Sequence, residues 1–294
     1  MRAGATPSHA AALLRLLRPR HWVKNGFVLA PLVFTLPHVA PRDALLAIAA
    51  AASFSLVSSA VYALNDVVDR DADRRSPSRR DRPVASGAVS PTEALGLAAA
   101  CVFAAAAVAV ILPWKVASAI VGYTVLNVAY SLWLKRIVLI DVMAIAGGFM
   151  LRVFAGAAAL GVALSSWMAL TTFFVSLFLG FSKRRSEFAA GGGRTARVVL
   201  AEYTAPLLDV LIVMSLSITI VTYSLYVIQA AAGRGGALVA TVPLVVYGLV
   251  RYLYLVMRRG KGGDVAEVLL RDAPLVVTIA VWAVAVVLVL LLAP

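Results

Sequence analysis

Residues 65–83 read NDVVDRDADRRSPSRRDRP and hold five of the chain's ten aspartates, directly after a long apolar run. On a helix turning about 100° per residue, Asp66, Asp69 and Asp73 are spaced i, i+3, i+7 and share one face, with Asn65 beside them. Asp71 points roughly the other way. Three carboxylates and an amide oxygen on one stripe repel each other unless a cation sits among them. Oxygen-only ligands suit a hard ion, Mg2+ with Mn2+ as a permitted substitute, which keeps waters and bridges carboxylates to substrate phosphates. Arg74, Arg75, Arg79, Arg80 and Arg82 follow, and guanidinium groups match phosphate geometry. The stretch therefore reads as a site for a metal-bound diphosphate. A solvated loop of local salt bridges is the competing reading, and it loses ground because the motif opens from the end of an apolar span.

The chain has 294 residues and is 62% hydrophobic, against about half in soluble domains. Several runs reach the roughly 20 apolar residues that cross a bilayer. The expected fold is all-α, a polytopic membrane bundle of nine spans near 26–40, 44–64, 92–112, 115–134, 138–160, 165–181, 205–230, 237–257 and 273–292. Residues 1–25 form a separate amphipathic segment, with Leu13, Leu14, Leu16 and Leu17 interleaved with Arg15, Arg18 and Arg20; residues 26–294 form the membrane domain. The only cysteine, Cys101, excludes a disulfide or thiolate cluster, and the scattered His9, His21 and His38 argue against zinc chemistry.

The connections fall into two sets. The long, charged set holds 22 of the 27 Lys and Arg, the short set holds 3, and Arg152 and Arg251 sit within spans. The positive-inside rule then places the N-terminus and the charged loops in the cytoplasm and the C-terminus outside a cell (inner) membrane. The net charge of +13 reads as basic cytoplasmic loops meeting anionic lipid rather than nucleic acid. Nearly all the acids lie on the same side, so the chemistry belongs at one membrane surface.

Other constellations stand out. In LRPRHWVKN (17–25), Arg18 and Arg20 read as anchoring charges and Lys24 as a functional candidate. In YSLWLKRIVLIDVMAIAGGFMLR (130–152), Lys135 and Arg136 mark a turn and Asp141 opens the next span. Arg152 lies about 16 Å further along the helix, too deep to be left without a partner, which is expected to be a substrate phosphate or a carboxylate on another helix. In FLGFSKRRSEF (178–188), Lys183, Arg184 and Arg185 are compact enough to seat a phosphate, with Glu187 behind. Asp264, Glu267 and Asp272 are weaker site candidates. The triglycine at 191–193 lacks the lysine and Ser/Thr of a P-loop.

The NDxxDxxxD pattern at Asn65, Asp66, Asp69 and Asp73, set after the second of nine spans, resembles the UbiA-type prenyltransferase superfamily. That resemblance implies an all-helical intramembrane enzyme binding a polyprenyl diphosphate through Mg2+. Typical members carry a second Asp-rich motif after the sixth span; here the segment reads KRRSE, with Glu187 its only acid. The segments quoted above, with GGDVAEVLLRD (262–272), look like one branch, the decaprenyl-phosphate phosphoribosyltransferases of the mycobacterial arabinan pathway. The branch implies transfer of 5-phosphoribose from phosphoribosyl pyrophosphate to a polyprenyl monophosphate, with loss of pyrophosphate. Under this resemblance Asn65, Asp66, Asp69 and Asp73 hold metal and diphosphate. Arg74, Arg82 and Lys135 contact donor phosphates, Lys24, Lys183, Arg184 and Arg185 the remaining ones, and Glu187 orients them or meets ribose. Tyr62, Asp141 and Arg152 are included among the substrate-binding candidates. Prenyl transfer to an aromatic acceptor is the same-fold alternative, and a transporter or a non-catalytic scaffold the alternatives from other classes. The sequence leaves a homo-oligomer open.

Overall fold

The computed structural model describes residues 8–36, 39–76, 79–189, 198–230, 236–259, 265, 268 and 271–292. Among the described residues every regular element is helical. The triglycine at 191–193 and the candidates Asp264 and Glu267 lie outside them.

The first helix, α1 (His9–Leu17), starts at Ser8, whose hydroxyl accepts from the Ala11 N–H. It turns Ala12 and Leu16 inward against Ala63, Val84, Val89 and Ala94, and leaves Leu14 exposed. Helix α1 covers part of the 1–25 segment expected to be amphipathic.

The first expected span is corrected in form. The helical path begins at Pro19, not near 26, and its first part, Pro19–Leu29, is a 3-10 helix that continues into α2 (Ala30–Thr35). Three residues per turn align Trp22, Asn25 and Val28 on one edge. Trp22 Nε1 donates to Ser59 Oγ (3.0 Å), Asn25 Nδ2 donates to Ser55 Oγ (3.0 Å), and Val28 is buried. His21 and Lys24 share the neighbouring edge, their side-chain nitrogens 3.4 Å apart. Gly156 lets this segment lie flat on the bundle, because a Cβ there would overlap the Val28 carbonyl.

Helix α3 (Pro41–Val68) has 28 residues and is about 42 Å long, enough for its last turn to clear a hydrocarbon layer of about 30 Å. It packs on the 3-10 segment, α5 (Pro91–Ala109), α6 (Trp114–Leu132) and α7 (Ile140–Ala159), through a core that includes Val28, Phe54, Val57, Val116 and Tyr123. A second core forms where α7 meets α8 (Ser166–Ala189), α9 (Ala205–Ala230) and α10 (Val242–Arg259). At Gly180 an added Cβ would stand 2.5 Å from Val142, so α7 and α8 approach closely there. The last helix, α11 (Ala273–Leu292), closes the bundle, and Phe34 of α2 meets Tyr226 of α9 (4.8 Å) and Trp282 of α11 (6.2 Å).

Seven helices among the described residues are long and apolar enough to cross a membrane. They coincide with seven of the expected spans; the one expected at 237–257 opens with a 3-10 turn, Ala237–Thr241. Their outward faces carry exposed apolar side chains such as Phe103, Val121, Val125, Val277 and Leu288, as lipid-facing surfaces do. The chain is a multi-pass membrane protein. The span expected at 165–181 is the inner part of α8, which runs eight residues further, and that extension carries the KRRSE segment.

Candidate active site

The acidic stripe forms, with a break. Helix α3 ends at Val68 and a short helix α4 (Arg70–Arg75) continues from Asp69. Backbone bonds still run from Asp69 N to Asn65 O and from Asp73 N to Asp69 O, both 2.8 Å, so the helical register survives. Asp71 is exposed on the far side. Beyond α4 the chain folds back in turns to the capping box of Ser90 and Glu93 that starts α5. Arg74 holds this return, its Nε donating to the Ala85 carbonyl (2.9 Å). The return brings Arg82 back onto the stripe, where one Nη1 bridges Asp73 Oδ2 (2.7 Å) and Asp66 Oδ1 (3.3 Å).

The ends of α3, α6 and α8 and the start of α7 meet around a cavity of about 420 Å3. Of the predicted residues it takes in Lys24, Tyr62, Asn65, Asp69, Asp73, Arg82, Lys135, Arg152 and Lys183. Asp66, 1% exposed, sits behind this wall and is clamped by Arg18 Nη2 at 2.6 Å and by Arg82. Lys135 Nζ is 3.3 Å from Asp69 Oδ1. The wall carries eight Lys and Arg against two aspartates, so the chamber as a whole attracts anions, with its carboxylates gathered at the α3–α4 end. Val61, Leu126, Ala144, Ile145 and Phe149 supply an apolar part of the lining.

The remaining predicted residues lie outside the cavity lining. Arg184 is 1% exposed; its Nε donates to Asp141 Oδ2 (2.6 Å), Nη1 to Glu187 Oε2 (2.8 Å) and Nη2 to Tyr130 Oη (3.3 Å). Tyr203 Oη donates to Asp141 Oδ1 and accepts from the Leu139 N–H, both 2.8 Å. Burial and the Asp141 carboxylate push the Tyr203 phenol above its ordinary pKa, so it stays a donor. Leu139 has a left-handed backbone (φ 66°), and its bond to Tyr203 stabilises that strained turn. The network ties the α6–α7 turn carrying Lys135 to the end of α8 carrying Lys183. Arg185 turns away to Asp209 (2.8 Å).

Several cavity residues were not singled out from the sequence. Tyr123, Asn127 and Tyr130 line the chamber; their i, i+4, i+7 spacing in an apolar span is a polar stripe, and that signal was available. Arg18 gave none. It reads as a membrane anchor, yet it adopts a left-handed backbone (φ 52°), stacks 4.9 Å over the Tyr62 ring and pairs with Asp66.

Whether these residues suit a divalent ion is decided by their oxygens. Asp66 Oδ2 and Asp73 Oδ1 are buried without a hydrogen-bond partner among the described residues, which leaves lone pairs for a cation. No group of three or more His, Cys, Asp or Glu among the described residues forms a ready metal cluster. An ion such as Mg2+, held by one or two carboxylates and completed by water and substrate phosphates, matches that donor set.

The model of the UbiA prenyltransferase family matches residues 26–270. The chain belongs to this family. Two relatives narrow the kinship. A decaprenyl-phosphate phosphoribosyltransferase of Corynebacterium glutamicum is 31% identical over 97% of this chain and 88% of its own length. One of Mycobacterium tuberculosis is 30% identical over 92% of each. A UbiA homolog from Archaeoglobus fulgidus, solved bound to GPP and Mg2+, superposes with a TM-score of 0.72 over 96% of this chain and 100% of that one, at 19% identity, and so shares the fold.

Proposed function

We propose that the protein moves 5-phosphoribose from phosphoribosyl pyrophosphate to a polyprenyl monophosphate of the decaprenyl type, releasing pyrophosphate, in the making of cell-wall arabinan precursors. The observation that carries this reading is the use made of the KRRSE segment. Lys183 faces the cavity, while Glu187 is committed to the buried Arg184. One end of the chamber has carboxylates for one metal-bound diphosphate, and the rest is cationic. That suits a reaction with one diphosphate and two phosphomonoesters. The names and coverage of the two relatives agree with it.

In this reading Asn65, Asp66, Asp69 and Asp73 hold the donor diphosphate through a divalent ion, Mg2+ by preference. When bound, the ion neutralises charge that develops on the departing pyrophosphate. The C1–O bond to pyrophosphate breaks, the electron pair leaves with it, and an oxygen of the lipid phosphate bonds to C1. That oxygen is already anionic and needs no strong base. The protein's share is positioning and charge stabilisation. Arg82 and Lys135 neutralise donor phosphates at the acidic end, and Lys24 and Lys183 face the remaining anions. Asp141, Arg184 and Glu187 set the wall that presents Lys183 while Arg185 is held away on Asp209, and Arg74 sets the loop that presents Arg82.

The same reading gives the placement. The 3-10 segment and α2 together extend about 31 Å at 2.0 and 1.5 Å per residue, and the 24 residues of α8 about 36 Å. Both are long enough to cross, and with the seven apolar helices they would give nine crossings among the described residues. The excess of basic residues in the connections at the cavity end favours a cytoplasmic placement of that end and of the N-terminus in the inner membrane, with the boundary expected at 25/26 drawn back to Pro19, because Trp22 and Asn25 pack into the bundle. The test is a donor assay in detergent with Mg2+, labelled phosphoribosyl pyrophosphate and a polyprenyl monophosphate. Label in the organic phase that vanishes with EDTA is the expected result. Its absence, together with prenylation of an aromatic acid from prenyl diphosphate, would return the protein to the family's commoner reaction.

A further inference from the structure

Among the described residues every other buried ionic side chain has a counter-charge within reach: Asp66 has Arg18 and Arg82, Asp73 has Arg82, and Asp141 has Arg184. Arg152 is the exception. It is 5% exposed, and among the described residues its partners are neutral. Nε donates to Asn25 Oδ1 (2.7 Å), Nη2 to Tyr123 Oη (2.9 Å) and Nη1 to its own helix at Gly148 O (3.0 Å). Its guanidinium also lies over the rings of Tyr123 (4.4 Å), Phe149 (5.1 Å) and Phe54 (5.9 Å). The bonds to Asn25, Tyr123 and Gly148 use three of the five N–H groups of an arginine, and the side chain lines the cavity.

A desolvated cation held only by dipoles and rings is costly, and most so inside a bilayer. Neutral acceptors and aromatic faces hold it in place without supplying a countercharge. Of the two partners expected from the sequence, a carboxylate on another helix is not among its described contacts, which leaves a phosphate in the cavity as the source of the countercharge. Two helix registers fix its depth. Ser58 Oγ is 3.2 Å from Tyr123 Oη, so Arg152 lies at the level of Ser58, about 10 Å further into the bundle than Asn65 and about 16 Å further than Asp69. Tyr123 is likewise about 10 Å below Tyr130. That is too far for a group bound to the diphosphate end to reach without a spacer.

We infer that Arg152, with Asn25 and Tyr123 as its fixed supports, is the seat of a phosphomonoester at the deep end of the cavity. The phosphate group is distinct from the diphosphate held by the acidic stripe. In the proposed reaction two substrates carry such a group, the lipid phosphate and the 5-phosphate of the sugar donor, so the inference rests on that reaction for the identity of the ligand but not for the existence of the seat.

The test separates the two. Binding of farnesyl phosphate and of ribose 5-phosphate to the full-length protein is measured without turnover, with farnesol and ribose as controls. The variants are Arg152→Gln, which keeps one amide donor and loses the charge, and Arg152→Lys, which keeps the charge. Loss of a charged hydrogen-bonding partner weakens binding on the order of tenfold to a hundredfold. The expected result is that loss in Arg152→Gln for one of the two phosphates, partly recovered in Arg152→Lys, with the ligand-free thermal midpoint unchanged or raised because an unmatched buried charge is gone. Weakened farnesyl phosphate assigns the seat to the lipid, and weakened ribose 5-phosphate assigns it to the donor. Equal affinity in wild type and Arg152→Gln, no binding of either phosphate to wild type, or a midpoint lowered in both variants would overturn the inference. These measurements stand even if the donor assay shows no phosphoribosyl transfer.

Discussion

Asp141→Ala separates a wall residue from a substrate ligand. Asp141 is fully buried and holds Arg184, itself 1% exposed, at 2.6 Å and the Tyr203 phenol at 2.8 Å. Removing one partner of a buried pair strands the other and costs about 3–5 kcal/mol. Arg184 keeps Glu187 at 2.8 Å, which favours the lower end, but Tyr203 loses its acceptor as well, about 1 kcal/mol more. At roughly 2 °C per kcal/mol for a chain of this size, the thermal midpoint in detergent should fall by about 6–10 °C. A companion variant makes the reasoning sharper. In Asp141→Leu with Arg184→Met both charges are gone, and replacing a buried pair by apolar side chains is close to neutral. That double variant should recover most of the lost midpoint, although Glu187 then faces an apolar neighbour. Initial rates of the folded fraction of Asp141→Ala should show a higher KM from a displaced Lys183 and Lys135. A midpoint within about 2 °C of wild type, or a double variant less stable than the single one, would refute the account of this network as structural.

Asp73→Ala should cut turnover roughly a hundredfold or more in the folded fraction, with a smaller fall in the thermal midpoint than Asp141→Ala because Arg82 keeps Asp66, and near-normal rates in that variant would remove the acidic stripe from the mechanism. Lys183→Ala should raise a substrate KM about tenfold through loss of a charged contact. Arg185→Ala should leave rates within about twofold, because its half-exposed pair with Asp209 is worth at most about 1 kcal/mol; similar losses in both would mean that the KRRSE cluster acts as one. Gly156→Ala should cost about 1–3 kcal/mol by overpacking, seen as a lower midpoint, and should impair activity further because the displaced 3-10 segment carries Lys24 and Asn25.

Much of the bundle was legible because its signals are local. Apolar runs and basic connections mark the long helices, and the three-and-four spacing of Asp66, Asp69 and Asp73 survives the break at Asp69. The first span was misread in form for a physical reason. Hydropathy registers that Gly26 to Leu36 is apolar, but not that Trp22, Asn25 and Val28 each need to face a neighbouring helix, which a threefold repeat achieves and an α-helix does not. The basic residues were the least legible. Arg184 and Lys183 are adjacent in sequence and chemically similar, yet one is fixed on Asp141 and the other faces the cavity. That choice is made by the rotation of α8 against α7, where Gly180 admits Val142 at close range. Arg82 lies in the same stretch as the aspartates it bridges, but Arg18 reaches Asp66 from 48 residues away, so no short window of sequence contains that pairing.

The arrangement of charge gives a physical reason why the family's scaffold can host a phosphorylated sugar here. An acidic pair after the sixth span would hold a second ion and, with it, further diphosphate charge. This chain has a lysine at the cavity wall instead, and it neutralises the one nearby acid with a buried arginine. A lysine delivers one positive charge without needing an ion from solution, and it suits a phosphomonoester better than a diphosphate. The aspartates at Asn65–Asp73 are in turn clamped by Arg18, Arg82 and Lys135, so an arriving metal and diphosphate enter a site already close to electroneutral. In the proposed reading, the arginines and the lysine that balance these carboxylates would turn to the substrate phosphates where the carboxylates hold a divalent ion. On that reading substrate charge would be exchanged for protein charge within the cavity, which would lower the cost of bringing several phosphates into one chamber inside a membrane.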